Sequence, residues 1–143
     1  MLSFRHRLAR EEGFTLIELL VVLIIIGILL AIAVPSYLGF KDKSQKTAAA
    51  ADVREAIPSA EAFFSDNNTY AGMTANSLQS TYDSGMQVYN GTTVPAGIVT
   101  ATGGATHYCI SAKNGSWYAH VVGPGGQMVQ GESADFCATW TAS

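Results

Sequence analysis

The stretch Gly13-Phe14-Thr15-Leu16-Ile17-Glu18-Leu19-Leu20 decides the fold, together with its continuation Val21-Val22-Leu23-Ile24-Ile25-Ile26-Gly27-Ile28-Leu29-Leu30-Ala31-Ile32-Ala33-Val34-Pro35. From Leu16 to Val34 it runs for 19 residues with a single charge, Glu18. A helix rises about 1.5 Å per residue, so the run covers roughly 28 Å, the thickness of a bilayer core. A cleaved secretory signal has a similar layout, with Arg5–Arg10 as its basic region, Leu16–Leu30 as its apolar core and Ala31-Ile32-Ala33 as a small-residue cleavage site. Composition alone leaves both readings open. Glu18 separates them. An ionisable side chain inside an apolar span costs about 3 kcal/mol or more and marks a functional site, whereas in a signal peptide it would only impair export. The plainer alternative is a glutamate close enough to the membrane edge to reach water.

These residues resemble the cleavage and methylation motif of type IV prepilins: a short basic leader ending in Gly13, then Phe14, then Glu18 at the fifth position after the junction. The resemblance extends through Pro35 and covers about 23 residues; beyond that point it is one of architecture. It implies that prepilin peptidase cuts between Gly13 and Phe14 on the cytoplasmic face, that Phe14 becomes the N-methylated terminus, and that Glu18 pairs with the Phe14 amine of a neighbouring subunit. The physics is consistent, because a carboxylate four residues from a new ammonium can neutralise it across subunits and offset the desolvation of both. Arg5, Arg7 and Arg10 precede the span and Lys41, Lys43 and Lys46 follow it, so flanking charge is nearly balanced and orientation rests on the resemblance.

The resemblance and the residues together predict an α+β type IV pilin fold. Its parts are a leader (1–13), a transmembrane or filament-core half-helix (14–35), an amphipathic half-helix (36–65) and a globular head (66–143). Pro35 removes a helical hydrogen bond and is expected to kink or end the helix, with Gly27 a second weak point. The resemblance further implies that the stretch Gly27–Pro35 unwinds in the assembled fibre. Beyond Pro35, Val53, Ile57, Ala60 and Phe64 recur at helical spacing, while Asp52, Arg54, Glu55 and Glu61 occupy other faces and Pro58 bends the helix without ending it. Asp66-Asn67-Asn68-Thr69 reads as the break. Asp66 and Asn68 resemble the start of a calcium loop, but Tyr70 occupies the next ligand position, and a solvated turn is the simpler reading.

Two Asn-Gly pairs suggest hairpins. One joins Met86–Tyr89 to Thr92–Val94 through Asn90-Gly91; the other joins His107–Lys113 to Ser116–Val122 through Asn114-Gly115. With Asn114-Gly115 as a two-residue loop, Cys109 faces His120. Tyr108, Ile110, Ala112, Trp117, Ala119 and Val121 then share the face toward the helix. Pro124-Gly125-Gly126 turns into a further strand at Gln127–Gln130. Cys109 falls on the outer face, so a tail carrying Cys137 can fold over it. Behind an export segment, a disulfide is favoured over two buried thiols. It resembles the disulfide-bounded C-terminal region of type IV pilins.

Formal net charge is −3, and without residues 1–13 it is −4. No basic patch exists to neutralise phosphates, so no intrinsic nucleic-acid binding is expected. His107 and His120 are too few for a metal or catalytic constellation, and no nucleophile elbow or phosphate loop occurs. No catalytic, cofactor or metal site is therefore expected, and the chain is not expected to be an enzyme. By resemblance, its partners are copies of itself, prepilin peptidase, the inner-membrane pilus assembly machinery and, before assembly, the cytoplasmic membrane. An extracellular filament used in adhesion, motility or DNA uptake is the expected destination. A pseudopilin of a type II secretion or competence system shares the same N-terminus and is the nearest alternative. A secreted binding module cut after Ala33 is the more distant one.

Overall fold

The structure is a computed structural model and describes residues 14–91, 93–131 and 135–141. The leader, Gly13 included, lies outside the described residues. The chain divides into two units, Met1–Gly39 and Phe40–Ser143. The helix α1 (Leu16–Asn67, 52 residues) contributes to both.

In the first unit, α1 is apolar on every side. Its large side chains are all exposed, from Leu16 at 86% to Ile26 at 46%. Its mean hydropathy reaches 3.2 over 18 residues, so it is long and apolar enough to cross a membrane. Neither Pro35 nor Pro58 ends α1, which corrects the stop considered at Pro35.

In the second unit, α1 becomes one-sided. Ala49, Ala50, Val53, Ala56, Ser59 and Ala60 are buried, at spacings of three and four. Ile57 and Phe64, which the spacing placed on one face with Val53 and Ala60, are only partly buried against this core. The stripe is mostly alanine, and so is the middle of the facing sheet, where Ala112 and Ala119 are fully buried. Small side chains therefore line both sides of the helix–sheet contact. Asn68, at φ +55°, ends the helix in the left-handed conformation that Asn tolerates, with its N–H donated to Phe64 O at 2.7 Å.

A short helix, α2 (Ala75–Thr81), then forms. Thr74 caps it, accepting from Ser77 N–H while the Ser77 hydroxyl accepts from Thr74 N–H, and Leu78 is fully buried beneath it. The sheet is antiparallel in the order β1-β2-β3-β4: β1 (Ala96–Gly103), β2 (Tyr108–Asn114), β3 (Trp117–Gly123) and β4 (Val129–Gly131).

Two hairpin expectations are corrected. Residues 86–91 and 93–94 form no hairpin strands. Val88 makes one parallel bridge to Ile98, and Asn90 Oδ1 accepts from the N–H groups of Thr93 and Val94, folding a loop in place of a two-residue turn. The first strand is instead β1, whose Ile98-Val99-Thr100 run of β-branched residues suits a strand. Gly97, at φ +125°, permits the close approach there: an added Cβ would lie 2.2 Å from Gln87 O. The second hairpin exists with a shifted register. Asn114 pairs with Trp117, so Gly115-Ser116 is the loop and Cys109 pairs with Val122, not His120. Gly115 at the first loop position with φ +59° fits a type II′ turn, where the sequence had suggested type I′. A shift of two preserves the faces. Tyr108, Ile110, Ala112, Ala119 and Val121 do pack against the helix stripe.

Glu61, placed by its sequence on a polar face, ties helix to sheet. Its two carboxylate oxygens accept from Tyr70 Oη at 2.9 Å and Tyr108 Oη at 3.1 Å. The rings of Tyr70 and Tyr108 lie 4.8 Å apart, and Phe64 stands 4.6 Å from Tyr70. Burial first, and then the adjacent carboxylate, push the Tyr70 hydroxyl up to about 12; the same causes raise Tyr108 further.

Glu61→Ala leaves two phenols without their acceptor and is expected to lower stability by about 2 kcal/mol in chemical denaturation, Glu61→Gln by less. Because Tyr70 titrates higher folded than unfolded, the folded chain holds its proton more tightly. That stabilisation is complete below pH 10 and is lost as pH rises from there through about 12. The urea midpoint is therefore expected to fall more steeply with alkaline pH in the native chain than in Tyr70→Phe.

Candidate functional site

The residues that the sequence singles out fall in two places. The first is the N-terminal end of α1. Phe14 precedes the helix and is 82% exposed; Glu18 lies in the first turn. Thr15 and Glu18 form a reciprocal cap: Glu18 N–H donates to Thr15 Oγ1 at 3.3 Å, and Thr15 N–H donates to Glu18 Oε2 at 2.8 Å. The Thr15 hydroxyl adds a third hydrogen bond to the same Oε2, at 2.7 Å. This is the capping box written Thr-x-x-Glu before an apolar run. It satisfies otherwise orphaned donors of the first turn, and a carboxylate there also suits the positive end of the helix dipole. Thr15 is thus a residue that the sequence reading passed over, although the pattern was present to be read.

The box does not consume the carboxylate. All three contacts involving Glu18 lie on its Thr15 side, and two acceptor bonds use Oε2. Among the described residues Oε1 receives no hydrogen bond. A carboxylate offers about four lone-pair sites, so one oxygen oriented by its own helix leaves the other for an external donor. Gly27 and Pro35 lie farther along α1; an added Cβ at Gly27 would meet nothing within 4 Å.

The second place is the outer face of the sheet. Cys109, on β2, is bonded to Cys137, in the short 3-10 turn Phe136–Ala138, with both side chains buried. The bridge closes a sequence separation of 28 residues. His120 stacks on Phe136 with centroids 4.5 Å apart, and burial lowers its pKa while the charge of Asp135 opposes that shift. His107 is exposed, its Nδ1 2.9 Å from Thr106 Oγ1. Asp66, considered as the start of a calcium loop, accepts from Tyr82 Oη at 3.1 Å. No cluster of three His, Cys, Asp or Glu side chains suited to a metal occurs among the described residues. An open cleft of about 370 Å³ beside β1 is lined by residues such as Thr74, Asn76, Tyr89 and Thr100, with no carboxylate, imidazole or thiol.

The family described as a prokaryotic N-terminal methylation motif matches residues 8–34. The chain is 40% identical over 62 residues to the Type IV major pilin protein of Myxococcus xanthus, covering 43% of this chain and 28% of that one. It is 36% identical over 61 residues to Type II secretion system core protein G of Pectobacterium carotovorum, covering 43% and 39%. It is 41% identical over 59 residues to a Type IV wide pilus major component of Thermus thermophilus, covering 41% and 45%. Each match spans less than half of the relative. No solved structure matches. The chain thus carries the methylation motif, and its homologues are type IV pilins and type II secretion pseudopilins.

Thr15→Ala removes one arm of the capping box. It is expected to weaken the first turn of α1 by about 1 kcal/mol, read as faster amide exchange at Ile17–Leu19 of the full chain in detergent micelles.

Proposed function

We propose that this chain is the structural subunit of a type IV pilus. The observation that carries the reading is an apolar helical segment exposed on every side, opened by a lone acid whose outer oxygen is unoccupied among the described residues. Such a surface suits lipid first and other copies of the same helix later, because one small sheet cannot cover it. Prepilin peptidase cuts between Gly13 and Phe14 at the cytoplasmic face, and Phe14 is then N-methylated. The methylation motif at residues 8–34 supports both steps.

Cleavage creates an ammonium at Phe14, at the edge of the apolar span. In the growing filament, Glu18 of one copy accepts this ammonium from its neighbour. The Thr15 contacts hold Oε2, and the carboxylate's other oxygen is the one that takes this donor. A charge pair formed within stacked apolar helices is strongly sensitive to loss of either partner, since the remaining charge stays desolvated and unpaired. Gly27 and Pro35 supply weak points at which the helix can yield as copies pack. The subunit starts as a single-pass protein of the cytoplasmic membrane, is drawn out by the inner-membrane assembly machinery and ends in an extracellular fibre serving adhesion, motility or DNA uptake. The similarity to core protein G supports a second reading, a pseudopilin of a type II secretion system with the same processing and polymerisation.

Mass spectrometry of the mature protein is expected to show N-methyl-Phe14 as its first residue; a mature chain beginning at Val34 would instead mean a secreted module. Glu18→Ala is expected to abolish fibres in cells lacking another copy while leaving the processed subunit in the membrane. Long surface fibres composed mainly of this chain favour the pilus; their absence alongside a defect in protein secretion favours the pseudopilin.

A further inference from the structure

The segment that carries Cys137 is gripped by more than its sulfur. Asp135 accepts hydrogen bonds from Thr100 Oγ1 on β1 and from Ser111 Oγ on β2, and its Oδ1 also accepts from Cys137 N–H at 3.0 Å. Ser111 is fully buried, and Asp135 is the partner its hydroxyl finds. Phe136 meets β3 through its stack on His120. Three strands therefore hold this short segment by contacts that involve neither sulfur.

The spacing makes those contacts informative. Ser111 and Cys109 lie two residues apart on β2, so both side chains point to the outer face. Asp135 and Cys137 are also two residues apart. Once Asp135 is seated at Ser111, Cys137 is delivered beside Cys109, with the two Cα atoms 5.5 Å apart, inside the range a disulfide requires. We propose that Asp135 is the positioning residue for this bridge: its carboxylate seats the tail segment on the sheet before the sulfurs join and keeps it seated when they are reduced. Pre-placement raises the effective concentration of one thiol at the other, as any tether of matched length does. With glutathione disulfide as oxidant, the two cysteine thiols give up two protons and two electrons and form the S–S bond. The S–S bond of the oxidant breaks, and two glutathione thiols leave.

The test uses the full chain in detergent micelles, equilibrated with glutathione at graded thiol-to-disulfide ratios, alkylated and weighed. Asp135→Ala is expected to lower the effective concentration of the cysteine pair by about tenfold or more, the change that losing hydrogen bonds to a charged acceptor produces. Asp135→Asn, which keeps an acceptor without the charge, and Thr100→Val, which removes one donor, are expected to fall between it and the native chain. An unchanged oxidation equilibrium across all three variants would overturn the proposal. A second readout needs no oxidation. In Cys137→Ser the amide at position 137 is expected to stay protected from hydrogen exchange, and to lose protection when Asp135→Asn is added. If Cys137→Ser alone abolishes that protection, the bridge holds the tail and the carboxylate does not, which sinks the idea even where Asp135→Ala fails to fold.

Discussion

A helix that is apolar around its whole circumference has no stable resting place in water, and one small antiparallel sheet has only one face to offer it. Each large aliphatic side chain left exposed forgoes about 1.5–3 kcal/mol relative to burial. Between Leu16 and Leu38 of α1 every large hydrophobic side chain is in that condition. The constraint organises the rest of the molecule. It requires an apolar surrounding for the first unit, and it makes any charge placed there informative. It also leaves the second unit to stabilise itself with the residues beyond Gly39.

Glu18 shows how one side chain can serve two scales. Within the chain it closes the first turn of α1 with Thr15, a local use open to any helix in any protein. That use occupies one oxygen, while the other accepts no hydrogen bond among the described residues. The proposed pairing between subunits would draw on that second oxygen.

The second unit solves a different problem, which is to bind one stripe of a helix firmly with little apolar bulk. Alanines on α1 and on the middle strands line the contact, and the larger rings of Phe64, Tyr70 and Tyr108 gather beside it under the Glu61 carboxylate. The opposite face of the sheet is closed by the tail, where Asp135 gathers hydroxyls from two strands and Cys137 joins Cys109. A carboxylate thus anchors each face of this sheet, one from the helix and one from the tail.

What the residues determined by themselves were the features written in contiguous sequence. The unbroken apolar run, the acid within it, the change to helical spacing after Pro35, the break signal at Asp66-Asn67-Asn68-Thr69 (the helix itself runs on to Asn67) and the alternation of faces in β2 and β3 all derive from neighbours a few positions apart. The capping box was legible in the same way and was overlooked. What only the tertiary structure decided were matters of distance along the chain. Asn114-Gly115 looked like a loop, but pairing of Asn114 with both Ala96 and Trp117 drew it into the sheet and moved the turn to Gly115-Ser116. Asn90-Gly91 looked like a hairpin, but hydrogen bonds accepted by the Asn90 side chain from Thr93 and Val94 N–H folded a wider loop, and the neighbouring strand formed beyond it. The sequence placed Glu61 only on another face of the helix and did not single out Asp135, because nothing within a few residues shows that Tyr108, 47 positions on, or Thr100, 35 positions back, will bring them a hydroxyl. Local pattern sets which segments can be helix or strand; the partners of a buried hydroxyl are chosen only when distant segments close on one another and exclude the water that would otherwise have served.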